Sequence, residues 1–163
     1  MRTAASVLML LTICSVPARS QSVSRYKGLR YPPLPAGLES VFSSRVSNDD
    51  SVHYVLEHIA AGTQHFLWLA RDTLTGRSAL REVRTVLTLP PLGPKDALVQ
   101  NCRVGKPDSP GQLDLVGIIT LGPREVQRPR RAWRVDWQHE RIVEIVTRDV
   151  RCIDEGYYER RGI

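Results

Sequence analysis

The sequence predicts a mainly β fold, with α+β as the alternative, built as an antiparallel meander sheet or small sandwich carrying one disulfide. Three observations predict it. Short apolar runs alternate with turn residues from Val52 onward. The stretch 130–145 is patterned to fold back on itself, and the cysteine count becomes even once an N-terminal leader is removed.

The leader comes first in the chain. Arg2 precedes the apolar run Val7–Cys14, and Pro17-Ala18-Arg19-Ser20 follows it. That run is too short for a membrane-spanning helix, which needs about 20 apolar residues. A charged start, a short apolar centre and small residues at the end make a secretory signal peptide over residues 1–20, with cleavage before Gln21. Of the 163 residues, 143 then remain, enough for one domain with a core. The segment removed holds two basic residues and no acid, leaving 21 basic against 17 acidic side chains, a net +4. Arginine supplies 20 of the 23 basic residues in the whole chain, and guanidinium groups favour planar contacts with carboxylates and phosphates.

Residues 21–40 contain Tyr31-Pro32-Pro33-Leu34-Pro35-Ala36-Gly37, where prolines remove backbone donors. They read as an extended proline-rich lead-in, with a single β-rich domain over 41–163. The segment 52–60 is ambiguous. Val52, Val55, Leu56 and Ile59 fit a helical spacing, yet Ala61-Gly62-Thr63-Gln64 could equally join two strands, and the surrounding meander tips the expectation to a strand. His65–Arg71, apolar on both faces, reads as a central strand. Residues 79–89 return from the turn Thr73–Arg77 and stop at Pro90-Pro91. Segments 97–104, 113–121, 132–137 and 142–146 complete the set.

Within 130–145, strand alternation puts Trp133, Val135 and Trp137 on one face and Ala132, Arg134 and Asp136 on the other. A loop at Gln138-His139-Glu140 would set Trp133 opposite Ile145 and Val135 opposite Val143, with Arg134 facing Glu144 as a cross-strand ion pair. Burial in a hairpin thus accounts for the tryptophans without a ligand. Cys14 leaves with the leader, so Cys102 and Cys152 remain to form a disulfide. Closing a loop of about 50 residues is worth about 4 kcal/mol in the chain-entropy account.

Arg131–Asp136, Val150-Arg151-Cys152 and Asp154-Glu155-Gly156-Tyr157, with Asn101–Gly105 and the strand Leu115–Ile119, resemble the C-terminal half of small exported cyanobacterial proteins of unknown function. The likeness spans roughly residues 65–157. The resemblance implies export and the cysteine pair, and it brings no activity and no site residues. That group commonly has glycine in the hairpin loop, where this chain has Gln138-His139-Glu140.

Motifs for chemistry are sparse. Ser24-Arg25-Tyr26-Lys27 has the Ser-x-x-Lys spacing of penicillin-recognising enzymes, but no Lys-Thr-Gly follows. The chain has no Gly-x-Ser-x-Gly, P-loop, His-Glu-x-x-His or dinucleotide fingerprint. His53, His58 and His65 with Asp49, Asp50 and Glu57 are spaced so that His53 and His58 diverge on a strand, and surface histidines are the simpler reading. No cofactor or metal is expected. Arg124, Arg128, Arg130, Arg131 and Arg134 stand against the single acid Glu125 in 124–134 and form the candidate anion-binding group. An anionic envelope polymer or lipid headgroups are the expected partners, and export argues against nucleic acid.

Two functions follow from this: a noncatalytic exported structural or binding domain of the envelope or secreted fraction, and, as the alternative, a small hydrolase whose acid–base residues, Glu57 and His58, converge only in the fold. Export has a direct test. Mass spectrometry of protein recovered from the periplasm or medium should find Gln21, or a residue within a few of it, at the N-terminus; an intact Met1 there would refute cleavage.

Overall fold

The computed structural model describes residues 24–47, 49, 52–75, 78–105 and 110–162; the leader 1–20 lies outside the described residues. A 3₁₀ turn (Ser24–Tyr26) leads into β1 (Arg30–Tyr31) and β2 (Glu39–Arg45). Then come β3 (Tyr54–Ala61), β4 (Gln64–Thr75), β5 (Ser78–Thr88), β6 (Asp96–Val99), β7 (Cys102–Val104), β8 (Leu115–Thr120) and β9 (Val126–Gln127). The chain ends with β10 (Arg131–Asp136), β11 (Arg141–Ile145), β12 (Val150–Ile153) and a short helix, α1 (Tyr157–Arg161).

These strands make three antiparallel sheets, ordered β1-β5-β4-β3-β2, β11-β10-β8-β6 and β7-β12-β9. The second sheet lies between the other two. Its residues Val116, Ile118, Trp133 and Val135 pack against Tyr54, Leu56, Leu67 and Leu69 of the first. From its other face Leu115, Ile119 and Ala132 meet Cys102, Val150 and Cys152 of the third. A sheet buried on both faces needs side chains that are apolar in both directions, and Leu115–Ile119 is fully buried at every position. β4 is central in its sheet for the same reason, with Phe66–Ala70 all buried.

The ambiguous segment is the strand β3, one partner of a two-residue hairpin turn at Gly62-Thr63. The φ of +61° at Gly62 explains why glycine sits there. Other expectations need correcting. The stretch 97–104 is two strands, because the chain breaks at Gln100-Asn101 to pass from the second sheet to the third. The proline-rich lead-in is extended, but it also supplies Tyr26 and Tyr31 to a core with Ile59, Phe66, Trp68 and Val83 on the outer face of the first sheet. There the Tyr31 hydroxyl donates 2.5 Å to Glu57, which is only 1% exposed. Burial, followed by that hydrogen bond, pushes the Tyr31 hydroxyl well above the ordinary tyrosine range. The Arg81 guanidinium completes the Glu57 carboxylate and also donates to Asp72 at 3.1 Å.

The 130–145 hairpin forms, but one residue away from the expected register. Trp133 faces Glu144, Arg134 faces Val143 and Val135 faces Ile142. The turn is four residues, Trp137–Glu140, rather than three. Glu140 adopts φ +49°, a left-handed conformation that costs a residue with a Cβ about 1–2 kcal/mol. Its carboxylate accepts from the Tyr54 hydroxyl at 2.7 Å and from Arg84 Nε at 2.8 Å, and its carbonyl accepts from Thr85. Contacts to the first sheet therefore hold the turn where glycine would otherwise be required. The expected Arg134–Glu144 pair is replaced by a two-point contact between Arg131 and Glu144 at 2.6 and 2.7 Å.

Cys102 and Cys152 are bonded and directly opposite in β7 and β12, with Cα atoms 4.0 Å apart. Their sulfurs lie on Gly117 of β8. A Cβ placed there would sit 2.8 Å from Cys152 Sγ and 2.8 Å from Pro129 Cβ. Gly117→Ala should therefore lower stability by about 1–3 kcal/mol through overpacking. A denaturant melt checks this, and an unchanged midpoint would mean that the sheets do not meet at this glycine.

Candidate functional site

The five candidate arginines divide into two groups. Arg130 pairs with Asp96 at 2.7 Å, Arg131 with Glu144, and Arg134 stands 3.7 Å from Asp114 while donating 3.2 Å to Gln112 Oε1. These three are already answered by carboxylates. Arg124 and Arg128 are exposed and have no ion-pair partner among the described residues. The expected five-arginine cluster is thus not one surface, because alternation along β10 and the turn into it disperse the side chains.

Arg128 acquires different neighbours. Since Cys102 and Cys152 face inward in the third sheet, alternation turns Arg103 and Arg151 outward, and the two are cross-strand partners. On the other side of β12, Cys152 faces Gln127 and Ile153 faces Val126. Continuing that register by one residue sets Arg128 beside Arg151. Three arginines thus run in a row across β7, β12 and the end of β9, at a strand spacing of about 4.8 Å. Like charges directly opposite each other destabilise a strand pair. Arg151 Nη1 is fixed by the backbone carbonyls of Val150 at 2.8 Å and Arg148 at 3.1 Å. No carboxylate among the described residues lies within ion-pair distance of Arg151, Arg128 or Arg148. Val126, two residues before Arg128, is 38% exposed, so the Arg128 end of the row is accessible and partly apolar.

Arg103 and Arg151 were missing from the candidate group, although the signal was present. Cys102-Arg103 and Arg151-Cys152 are mirror-image pairs, so an antiparallel bond between the cysteines places the arginines opposite one another.

The acid–base candidates do not converge. Glu57 and His58 are neighbours on β3 and face opposite sides: Glu57 meets Tyr31 and Arg81, while His58 packs on Phe42 and lies 2.9 Å from His65 Nδ1. No three His, Cys, Asp or Glu side chains among the described residues are placed to hold one metal ion. Asp50 lies outside the described residues. In comparisons with family models, curated proteins and solved structures, nothing matches this chain.

The histidine pair makes stability depend on pH. Burial first, and the neighbouring His65 second, lower the His58 pKa to about 4. The folded protein thus binds this proton more weakly than the unfolded chain, whose histidine titrates near 6.5. The contribution is complete above pH ~6.5 and is lost as pH falls towards 4. Chemical denaturation between pH 7 and 4.5 should show stability declining, and His58→Gln should remove much of that slope. An identical slope in the variant would place the dependence elsewhere.

Proposed function

We propose that this chain is an exported, noncatalytic binding domain that holds an anionic polymer of the cell envelope against the outer face of the disulfide-bonded sheet. The observation that carries this reading is that Arg151 and Arg128 have no carboxylate partner among the described residues, with Arg151 bonded to the backbone carbonyls of Arg148 and Val150 and a further like charge, Arg103, opposite it. A polymer with one carboxylate or sulfate per repeat would supply counter-charges for Arg151 and Arg128, and guanidinium groups suit two-point contacts with such groups. Export is supported by the leader pattern, by the disulfide and by the resemblance to small exported proteins. No helix among the described residues is long and apolar enough to cross a membrane. Nothing in the geometry favours the hydrolase, because its two acid–base residues lie on opposite faces of β3.

Titration with polygalacturonate, followed calorimetrically at several salt concentrations, tests the proposal. Arg128→Gln and Arg151→Gln should each weaken binding about tenfold, roughly 1.4 kcal/mol. Each should also flatten the dependence of log K on log salt by about one unit. Arg131→Gln, which loses its bond to Glu144 and its contact with the Trp133 ring, should bind as the parent does. Parent-like binding by both row variants would sink the proposal. So would binding confined to phosphatidylglycerol vesicles, which would assign the face to lipid headgroups.

A further inference from the structure

A second surface, around Gln112, Arg134 and Trp137, has a different character. Three hollows of about 480, 230 and 330 Å³ adjoin one another. Gln112 and Leu113 line the first two, and Trp137 lines the first and third. Through these shared residues the hollows reach from Asn101 at one end to Arg71 at the other, with Trp137 between them.

The lining is polar but nearly balanced in charge. Arg134 lies beside Asp114 in the largest hollow, Arg71 and Asp49 line one flanking hollow, and Glu155 lines the other. Such a cleft does not select a strongly charged ligand, in contrast to the arginine row. Its polar groups are planar: the amides of Gln100, Asn101 and Gln112, the Asp114 carboxylate and the Arg134 guanidinium. Because Arg134 donates to Gln112 Oε1, the Gln112 amide nitrogen remains available as a donor. Asp114 at 3.7 Å from Arg134 is beyond hydrogen-bond distance, so its carboxylate retains acceptor capacity. Vicinal hydroxyl pairs, each both donor and acceptor, match such alternating planar groups. Trp137 is half-buried, held against Tyr54 with ring centroids 6.0 Å apart, and offers an aromatic surface at the middle of the cleft. Leu113, 60% exposed, adds an apolar step next to it.

We infer that the cleft centred on Trp137 binds an uncharged oligosaccharide, seating one sugar ring against the indole and its hydroxyls on Gln112, Asp114 and Arg134. The inference is independent of the arginine row and uses none of its residues.

Tryptophan fluorescence can read this site alone. Of the three tryptophans, Trp68 and Trp133 are 0% and 2% exposed, so quenching by acrylamide reports on Trp137. The probes are neutral hexasaccharides of β-1,4-linked glucose, β-1,4-linked N-acetylglucosamine and α-1,4-linked glucose. At least one should lower the quenching constant about twofold as it covers the indole. Gln112→Ala and Asp114→Asn should each weaken that sugar about tenfold, the loss of one good hydrogen bond. Their melting temperatures should remain near the parent's, and Arg128→Gln should leave sugar binding unchanged. Absence of shielding by all three sugars overturns the inference, as does equal shielding in both cleft variants. Shielding by a mixture of neutral decapeptides, and by no sugar, overturns it in favour of a peptide cleft.

Discussion

The contact between the disulfide and Gly117 is the constraint on which the outer layers depend. The third sheet is small, with strands of two to four residues, and has little apolar surface of its own. It is joined to the protein by laying Cys102 and Cys152 on the one position of β8 that has no side chain. Period-two alternation then leaves no choice for the next residues. With the cysteines turned in, Arg103 and Arg151 must face out. The covalent bond that fixes the register therefore also fixes two like charges next to each other, and the charged row is a direct result of how the sheet is fastened.

The first and second sheets are joined by different means. A large apolar layer contains Trp133, and at its rim the Glu140 turn reaches Tyr54, Arg84 and Thr85. Arg84 also bonds Glu82 at 2.7 Å, and Glu82 is bonded in turn by Arg30 at 3.1 Å. A chain of alternating charges thus runs from the lead-in across the first sheet to the hairpin tip. Exposed pairs of this kind contribute little singly. Their value here is positional, because they hold an unfavourable backbone conformation at Glu140.

Much of this architecture was legible in the residues. Cysteine parity identifies the disulfide, and turn residues delimit most strands. The double-sided apolar run at Phe66–Ala70 marks the centre of a sheet, as the structure has it. The hairpin was legible in kind but not in register. A one-residue slip depends on the turn length, and Glu140 takes a left-handed conformation without the glycine that normally announces one. Sheet order was hidden more deeply. β6 pairs with β8, and β12 joins β7 to β9, so neighbours are set by packing between layers rather than by adjacency in the chain. The arginine density at 124–134 drew attention to residues that the fold separates. The surface that emerges combines Arg128 with residues 25 and 23 positions away, which only the cysteine pairing brings near.

The bond between Tyr31 and Glu57 bears on how the protein can be handled. The lead-in looks dispensable by composition, and trimming or tagging it would be a natural choice in making the domain. Yet a carboxylate under the first sheet depends on a hydroxyl from that segment for one of its two partners. A truncation that removed Tyr31 would leave Glu57 with the Arg81 guanidinium alone and would uncover Trp68, whose ring lies 5.8 Å from that of Tyr31. A fragment that keeps these contacts therefore starts no later than Ser24, and a fusion partner is better attached at the C-terminal end, beyond α1.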